Sequence, residues 1–431
     1  MQQVSGKIKI EKEFLDDFCS KVKTLAGLKE AISLSLDGDV STILKTILAG
    51  AVVLNCSDLH LEAQEDQAKL RVRLDGSLHD ALIFDPAKQA VLISRIKLLS
   101  GIKLNVEDKP QDGRFSIEMP DEEIEIRSST LPTQYGETAV LRILNPKSLI
   151  SIEDLGLRKD LYEVFNKEIE KPNGMIIVTG PTGSGKTTTL YAFLKKIRNP
   201  EIKIITIEDP IEYHLSDISQ TQVSPEKGYN FASGLKSIVR QDPDVILVGE
   251  IRDLETADIA LQAALTGHLV FSTLHTNDAA GTIARLTSLG AKAYNIGPAI
   301  NLIIAQRLIR KICKKCGQPR PATPEEEEKM QEALADAPEN ILKNYPCASG
   351  FTVYDPKGCE YCNFTGYKGR LGIYEALKRD SEIENFIASN PTISDLAKKA
   401  KEKGMVPMKT DGFLKILEGL TTIAEIEKAV G

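Results

Sequence analysis

Within residues 1–36, apolar residues at Phe14, Leu15, Phe18, Val22, Leu25 and Leu28 are set among charged side chains. That spacing lines one face of a helix and predicts a polar, helical N-terminal segment. Asp37-Gly38-Asp39 breaks it. The period then shortens to two: Leu59 and Leu61 alternate with Asp58, His60 and Glu62, and Leu70, Val72 and Leu74 with Arg71 and Arg73. Each alternation predicts a half-buried strand, and Asp75-Gly76 a hairpin turn between strands. A helix is expected over residues 87–99, stopped by Gly101, then a turn at Pro110-Gln111-Asp112-Gly113 and strands over 124–128 and 138–144. Residues 37–147 thus read as a small α+β domain, and Asn145-Pro146 opens a linker.

From residue 148 to 431 buried apolar runs at 175–179, 202–207, 245–248 and 269–272 alternate with helical stretches such as 231–239. Strand–helix alternation is the signature of a parallel-sheet α/β domain. Residues 313–362 interrupt it. Within them Thr323-Pro324-Glu325-Glu326 has the cap, the proline and the third-position glutamate of a helix start, so the acidic run 325–328 is a solvated first turn. From Ser394 onward the chain reads as short helices, with Thr422 and Glu425 spaced as a capping box.

At 431 residues the chain exceeds one core, so two or three domains are expected. A net charge of −7 argues against a general nucleic-acid binder. The N-terminus has no apolar signal region, and no apolar run approaches the roughly 20 residues of a membrane span. The stretch 300–309 is broken by Gln306 and Arg307. A cytoplasmic location with peripheral membrane association only is therefore expected, and in a reducing compartment paired cysteines point to metal before disulfide.

The chemistry concentrates in the α/β part. Gly180-Pro181-Thr182-Gly183-Ser184-Gly185-Lys186-Thr187 matches the phosphate-loop pattern in full, after an apolar strand and before a helix opened by Thr188. Glycines let backbone N–H groups wrap phosphates at a helix N-terminus. Lys186 is assigned to the β- and γ-phosphates of ATP and the Thr187 hydroxyl to Mg²⁺. The strand 245–248 ends at Gly249-Glu250, where a glutamate can activate the attacking water. Glu208, Asp209 and Glu212 follow another strand, and parallel strands present their C-terminal ends on one edge. His268 and His275 bracket the strand near 269–272. His275 sits where a γ-phosphate sensor is useful, although a histidine is more often structural. Cys313-x-x-Cys316 and Cys359-x-x-Cys362 are two knuckles able to give four thiolates to one Zn²⁺. Cys19, Cys56 and Cys347 read as ordinary small apolar residues.

Together the phosphate loop, the box Thr206-Ile207-Glu208-Asp209-Pro210-Ile211-Glu212, the Glu250 strand end and the Gly267-His268…His275-Thr276-Asn277 box resemble the secretion-ATPase superfamily. Ser57-Asp58-Leu59-His60-Leu61-Glu62 with Arg73-Leu74-Asp75-Gly76 looks like that superfamily's second N-terminal domain. The tetracysteine segment looks like the zinc-containing branch of type II secretion and type IV pilus assembly ATPases. The resemblance runs from about residue 40 to the end. It implies a RecA-like motor domain behind a PAS-like α+β domain, and a cytoplasmic homohexamer that docks on an inner-membrane platform protein and drives pilin or pseudopilin assembly. The family's phosphate-directed arginines fall on Arg114, Arg127 and Arg142, and guanidinium groups suit that task; Arg142 equally fits an outward-pointing residue of a half-buried strand. Only about 36 residues precede the second domain, so a short or truncated member is expected.

Three rival readings differ in testable ways. A pilus retraction ATPase lacks the four cysteines. A DNA-translocating RecA-like ATPase needs basic channel loops, against which the acidic balance weighs. A nucleotide-gated scaffold without turnover has no need of Lys186, Glu208 and Glu250 together.

Overall fold

A computed structural model describes residues 6–345 and 350–431; Cys347 lies outside the described residues. Two compact units emerge. One runs to Ser148 and includes Cys313–Gly317 and Pro356–Gly369; the other comprises Leu149–Ile312, Gln318–Asp355 and Arg370–Gly431.

In the first unit the period-two segments become one sheet: β1 (Lys7–Lys9), β2 (Asp58–Ala63), β3 (Ala68–Leu74), β4 (Ser77–Phe84), β5 (Gln111–Glu118), β6 (Glu123–Thr133) and β7 (Gly136–Leu144). Their order is β1-β5-β6-β7-β2-β3-β4. Alternation puts Leu59, Leu61, Leu70, Val72 and Leu141 on one buried face. Helices α1 (Lys12–Lys21), α2 (Leu25–Ser35), α3 (Val40–Val53) and α4 (Pro86–Leu99) contribute apolar faces to the same core, so the helical N-terminal segment shares the hydrophobic interior of the domain that follows it. At the β3–β4 turn Asp75 and Gly76 have φ of 48° and 85°, both left-handed, as a tight hairpin turn requires.

Two local expectations are revised. The N-terminal segment is not helical throughout: Lys7–Lys9 is an edge strand, parallel to β5 with Lys7 opposite Ser116. Ile8 and Ile10 are buried and alternate with lysines, a period of two too short to stand out beside the helices that follow. Gln111 to Gly113 do not turn but open β5, paired with Thr130 to Ser128. Gly113 is there for clearance, because a Cβ would lie 2.5 Å from the Ser100 carbonyl oxygen.

The second unit is a parallel sheet between two cores. Its strands are β8 (Gly174–Thr179), β9 (Ile204–Glu208), β10 (Ser219–Gln222), β11 (Val245–Val248), β12 (Leu269–Leu274) and β13 (Ile300–Ile312), with β14 (Gly317–Pro321) and β15 (Thr352–Pro356) as a separate pair and β16 (Tyr367–Lys378) at the edge of the main sheet. The order is β10-β9-β11-β12-β8-β13-β16, so β12 stands between the phosphate-loop strand β8 and the acidic strand β11. Strands β8, β11 and β12 are buried along their whole length, which is why they read as continuous apolar runs. Helices α5 (Lys159–Ile169) and α6 (Lys186–Ile197) join the core on one face. On the other face lie α7 (Phe231–Ile238), α8 (Leu254–Leu265) and α9 (Ala279–Ser288). The expected helix start at Thr323 is present, its hydroxyl accepting from the Glu326 N–H at 3.3 Å.

Among the described residues no helix is long and apolar enough to cross a membrane. The 300–309 run is instead the buried strand β13.

Candidate active site

The phosphate loop leaves β8 and enters α6. Gly180 has φ 152°, and a Cβ there would lie 2.6 Å from the Gln306 carbonyl oxygen, so the chain can turn off the sheet only with glycine at this point. Pro181, Thr182 and Gly183 form an exposed tip. Lys186 begins α6, followed by Thr187, which is exposed, and Thr188, which is half-buried. The unpaired N–H groups of the first helical turn thus lie at the loop, where an anion is favoured. The Lys186 ammonium donates to the carbonyl oxygens of Gly180 at 2.8 Å and Pro181 at 3.2 Å. Burial pulls its pKa below the usual lysine value; the charge of Glu250 opposes the shift and that of Arg307 adds to it.

The acids gather at the same sheet edge. Glu250 lies two residues beyond the end of β11, its carboxylate mostly covered. One oxygen pairs with Arg252 at 2.5 Å and the other stands 3.5 Å from His275 Nε2. Arg252 also reaches Asp209 at 3.9 Å. Burial first, then the charge of Lys186, lowers the pKa of His275 from the usual histidine value, against the charge of Glu250. Lys186, Glu250, Arg252, Asp209 and His275 therefore form one electrostatically linked group. A carboxylate facing an imidazole beside a phosphate loop can hold and deprotonate a water.

Two expected site residues do not join this group within the chain. Glu208 is buried: one oxygen accepts from Thr206 Oγ1 at 2.6 Å and from Gln220 Nε2 at 3.2 Å, and the other from the Tyr191 hydroxyl. Burial raises its pKa against those hydrogen bonds. Its acceptor sites are taken up by neighbours that brace β9 against α6 and β10. His268 stands at the start of β12, where Leu269 pairs with Gly174, the far end of β8 from the loop. Its Nδ1 lies 3.1 Å from the Ala263 carbonyl. Six residues of strand, about 20 Å, separate it from the loop edge.

Arg114, Arg127 and Arg142 lie in the first unit. Register pairs Arg114 with Arg127, and Arg127 with Arg142. The line continues through Asp58, opposite Arg142, to Arg73, opposite Asp58. Asp58 pairs with Arg142 at 3.2 Å and Arg73 at 3.4 Å, and Glu125 stands 3.5 Å from Arg127. Three guanidinium groups side by side on one sheet face form a surface complementary to an anion.

The four expected thiols come together. Cys313 and Cys359 sulfurs are 3.8 Å apart, Cys316 and Cys362 3.7 Å, and all four lie within 4.8 Å of one another. Four ligands about 2.3 Å from a tetrahedral zinc have sulfurs about 3.8 Å apart, whereas a disulfide closes to about 2.0 Å. The set therefore fits one zinc ion. Backbone N–H groups of Cys359 and Gly366 donate to Cys362 Sγ at 3.2 and 3.3 Å, as suits a thiolate.

Sequence reasoning missed three residues. Arg252, two positions after Glu250, was signalled by that spacing alone. Gln306 and Arg307 were visible as the polar break in an apolar run. Arg307 donates to the Asn277 carbonyl at 3.1 Å and to its side chain at 3.3 Å, tying β13 to the loop that carries His275.

The type II/IV secretion system protein family profile matches residues 34–428. The chain belongs to that family. The pilus assembly relative and the solved neighbours are named as ATPases or pilus motors, in keeping with a phosphate loop at this sheet edge. Curated relatives include the "Type IV pilus assembly ATPase PilB" of Thermus thermophilus, 41% identical over 89% of this chain and 42% of its own length. "Type II secretion system protein E" of Dickeya dadantii is 40% identical over 95% of this chain and 79% of its own length. The chain thus spans under half of the first relative and about four fifths of the second. Among solved structures, the Yersinia pseudotuberculosis ATPase DotB superposes with a TM-score of 0.66 at 20% identity, over 91% of this chain and 93% of that one, which bears on fold alone. The pilus retraction motor PilT with bound ADP gives 0.59 at 28% identity, over 89% of this chain and 95% of that one.

Proposed function

We propose that this secretion ATPase is the motor of a type IV pilus assembly or type II secretion machine. It works as a homohexamer at the cytoplasmic face of the inner membrane, docked on a platform protein, and drives pilin or pseudopilin assembly. The observation that carries the proposal is the gathering of Lys186, Glu250, Asp209 and His275 at one sheet edge. Relatives about 40% identical and named for those two machines support it. In the working motor Lys186 and the loop N–H groups hold the β- and γ-phosphates of ATP, and Thr187 takes Mg²⁺. Glu250 receives the proton of the attacking water, and His275 reports the γ-phosphate to the strand that carries it. The row Arg114–Arg127–Arg142 supplies guanidinium groups to the charge that develops on phosphoryl transfer.

Cys313, Cys316, Cys359 and Cys362 hold one structural zinc ion, which cross-links the two knuckles. That ligand set separates the assembly reading from retraction. The test is purified full-length chain assayed for Mg²⁺-dependent ATP hydrolysis and for mass in solution with and without nucleotide. A nucleotide-stabilised hexamer whose turnover ignores added DNA is expected. DNA-stimulated turnover would turn the reading toward a nucleic-acid translocase.

A further inference from the structure

We infer that Gln306 is a positioning residue of the phosphate loop: it fixes the direction in which the Gly185 N–H points. The inference rests on the reading of residues 180–187 as the phosphate-binding loop.

Gln306 lies on β13, one residue past Ala305, which pairs with Thr179 at the end of β8. It therefore stands beside Gly180, after the apolar run Leu302–Ala305. Its side chain is 1% exposed, and a buried amide is costly unless its groups are all bonded. Both halves are engaged, and by the loop and its helix. Nε2 donates to the Ser184 carbonyl at 2.6 Å, and Oε1 accepts from Thr189 Oγ1 at 2.8 Å. The backbone takes part as well: a Cβ on Gly180 would meet the Gln306 carbonyl oxygen at 2.6 Å, and one on Gly185 would meet Nε2 at 3.1 Å. A single residue thus touches the start of the loop, its last peptide and the first turns of α6.

The consequence follows from peptide geometry. In a trans peptide the C=O and N–H vectors point in opposite directions. Holding the Ser184 carbonyl against Gln306 therefore turns the N–H of the same peptide, that of Gly185, away from β13. Gly185 has φ 88°, a left-handed value open to it as glycine, and this lets the peptide adopt that orientation. The donor is pre-set before any anion arrives, which spares reorganisation on binding. Thr189, fully buried, locks the amide's other end and so fixes which way the amide faces.

The test is nucleotide affinity of the full chain, measured by calorimetry with ADP, alongside thermal melting and steady-state kinetics. Gln306→Met keeps the volume and removes both hydrogen bonds. It should weaken ADP binding about tenfold or more and raise KM for MgATP in parallel, with kcat changed much less and the melting temperature near the parent's. Thr189→Val should weaken ADP about fivefold and add little on top of Gln306→Met, because both act through one amide. A folded Gln306→Met that binds ADP like the parent, or strictly additive losses in the double variant, overturns the inference. Should Gln306→Met fail to fold, Thr189→Val decides alone: unchanged affinity overturns it. Lys186→Ala serves as control. If that variant binds ADP like the parent, the phosphate-loop reading itself fails, irrespective of Gln306.

Discussion

Arg114 and Arg127 stand directly opposite one another on β5 and β6, and Arg142 is the next partner in the same line. Like charges opposite one another in a sheet are unfavourable, and Glu125 beside Arg127 and Asp58 beside Arg142 offset part of that repulsion. Arg114→Ala and Arg127→Ala should each lower ATP turnover strongly, toward the ~10³-fold typical of arginines that stabilise phosphoryl transfer. Melting temperatures should stay level or rise slightly. Activity and melting measured on the same samples check this; a fall in both together would mean the residues serve the fold.

Elemental analysis should find one zinc per chain in protein purified without chelator. Structural zinc contributes an apparent ~10–16 kcal/mol in small finger peptides, so Cys359→Ser should loosen the knuckles. Hydrogen exchange should rise in residues 313–317 and 356–369, while ATP binding, seated in the other unit, persists in part. A zinc-free protein with unchanged melting would contradict the assignment.

The buried group Arg158–Asp411–Lys415 anchors the start of the second unit to helix Met408–Leu417. Asp411 accepts from Arg158 and from the Tyr374 N–H at 2.7 Å, and Lys415 lies 3.2 Å from it. Asp411→Ala leaves the buried Lys415 without its carboxylate and Arg158 with Asp160 alone, and should destabilise by about 3–5 kcal/mol. Denaturant unfolding of the variant reads this directly, and a loss below about 1 kcal/mol would show that the group is dispensable.

Glu326 offers a pH test. Hydrogen bonds from Arg320 hold its carboxyl at about 2, below the ordinary 4.5. A depressed folded-state pKa gives stability that is complete above the unfolded value and lost as pH falls through the folded one. The parent should therefore exceed Glu326→Gln in stability above about pH 5, with the gap closing toward about pH 2. Unfolding curves at a series of pH values check the sign; a gap that widens on acidification would refute it.

How much of this was legible in the sequence depends on whether the partners are contiguous. The phosphate loop, Gly249-Glu250 and the two cysteine pairs announce themselves because the groups that act together are close in sequence. Strands β8, β11 and β12 were legible because burial on both faces leaves an unbroken apolar run. Ile8 and Ile10 were not, because three residues of edge strand carry too little pattern beside a long helix face. His268 was expected at the ligand because its box contains His275, but β12 places its two flanking residues at opposite sheet edges. Glu208 shows the converse: strand-end position was readable, while its engagement by Tyr191, Thr206 and Gln220 is a property of packing. Gln306 carried a signal, polarity inside a buried strand, whose meaning depended on β13 lying next to β8.

The central claim is that Glu250 activates the water that cleaves ATP held by Lys186. It is tested most directly by Glu250→Gln in single-turnover hydrolysis with a nucleotide-binding measurement on the same protein. The substitution keeps the size of the side chain and its hydrogen bonding while removing the base. The account predicts ATP affinity within a few-fold of the parent and hydrolysis reduced to background. Near-parental hydrolysis by Glu250→Gln would contradict it and shift the role to another acid at the same sheet edge.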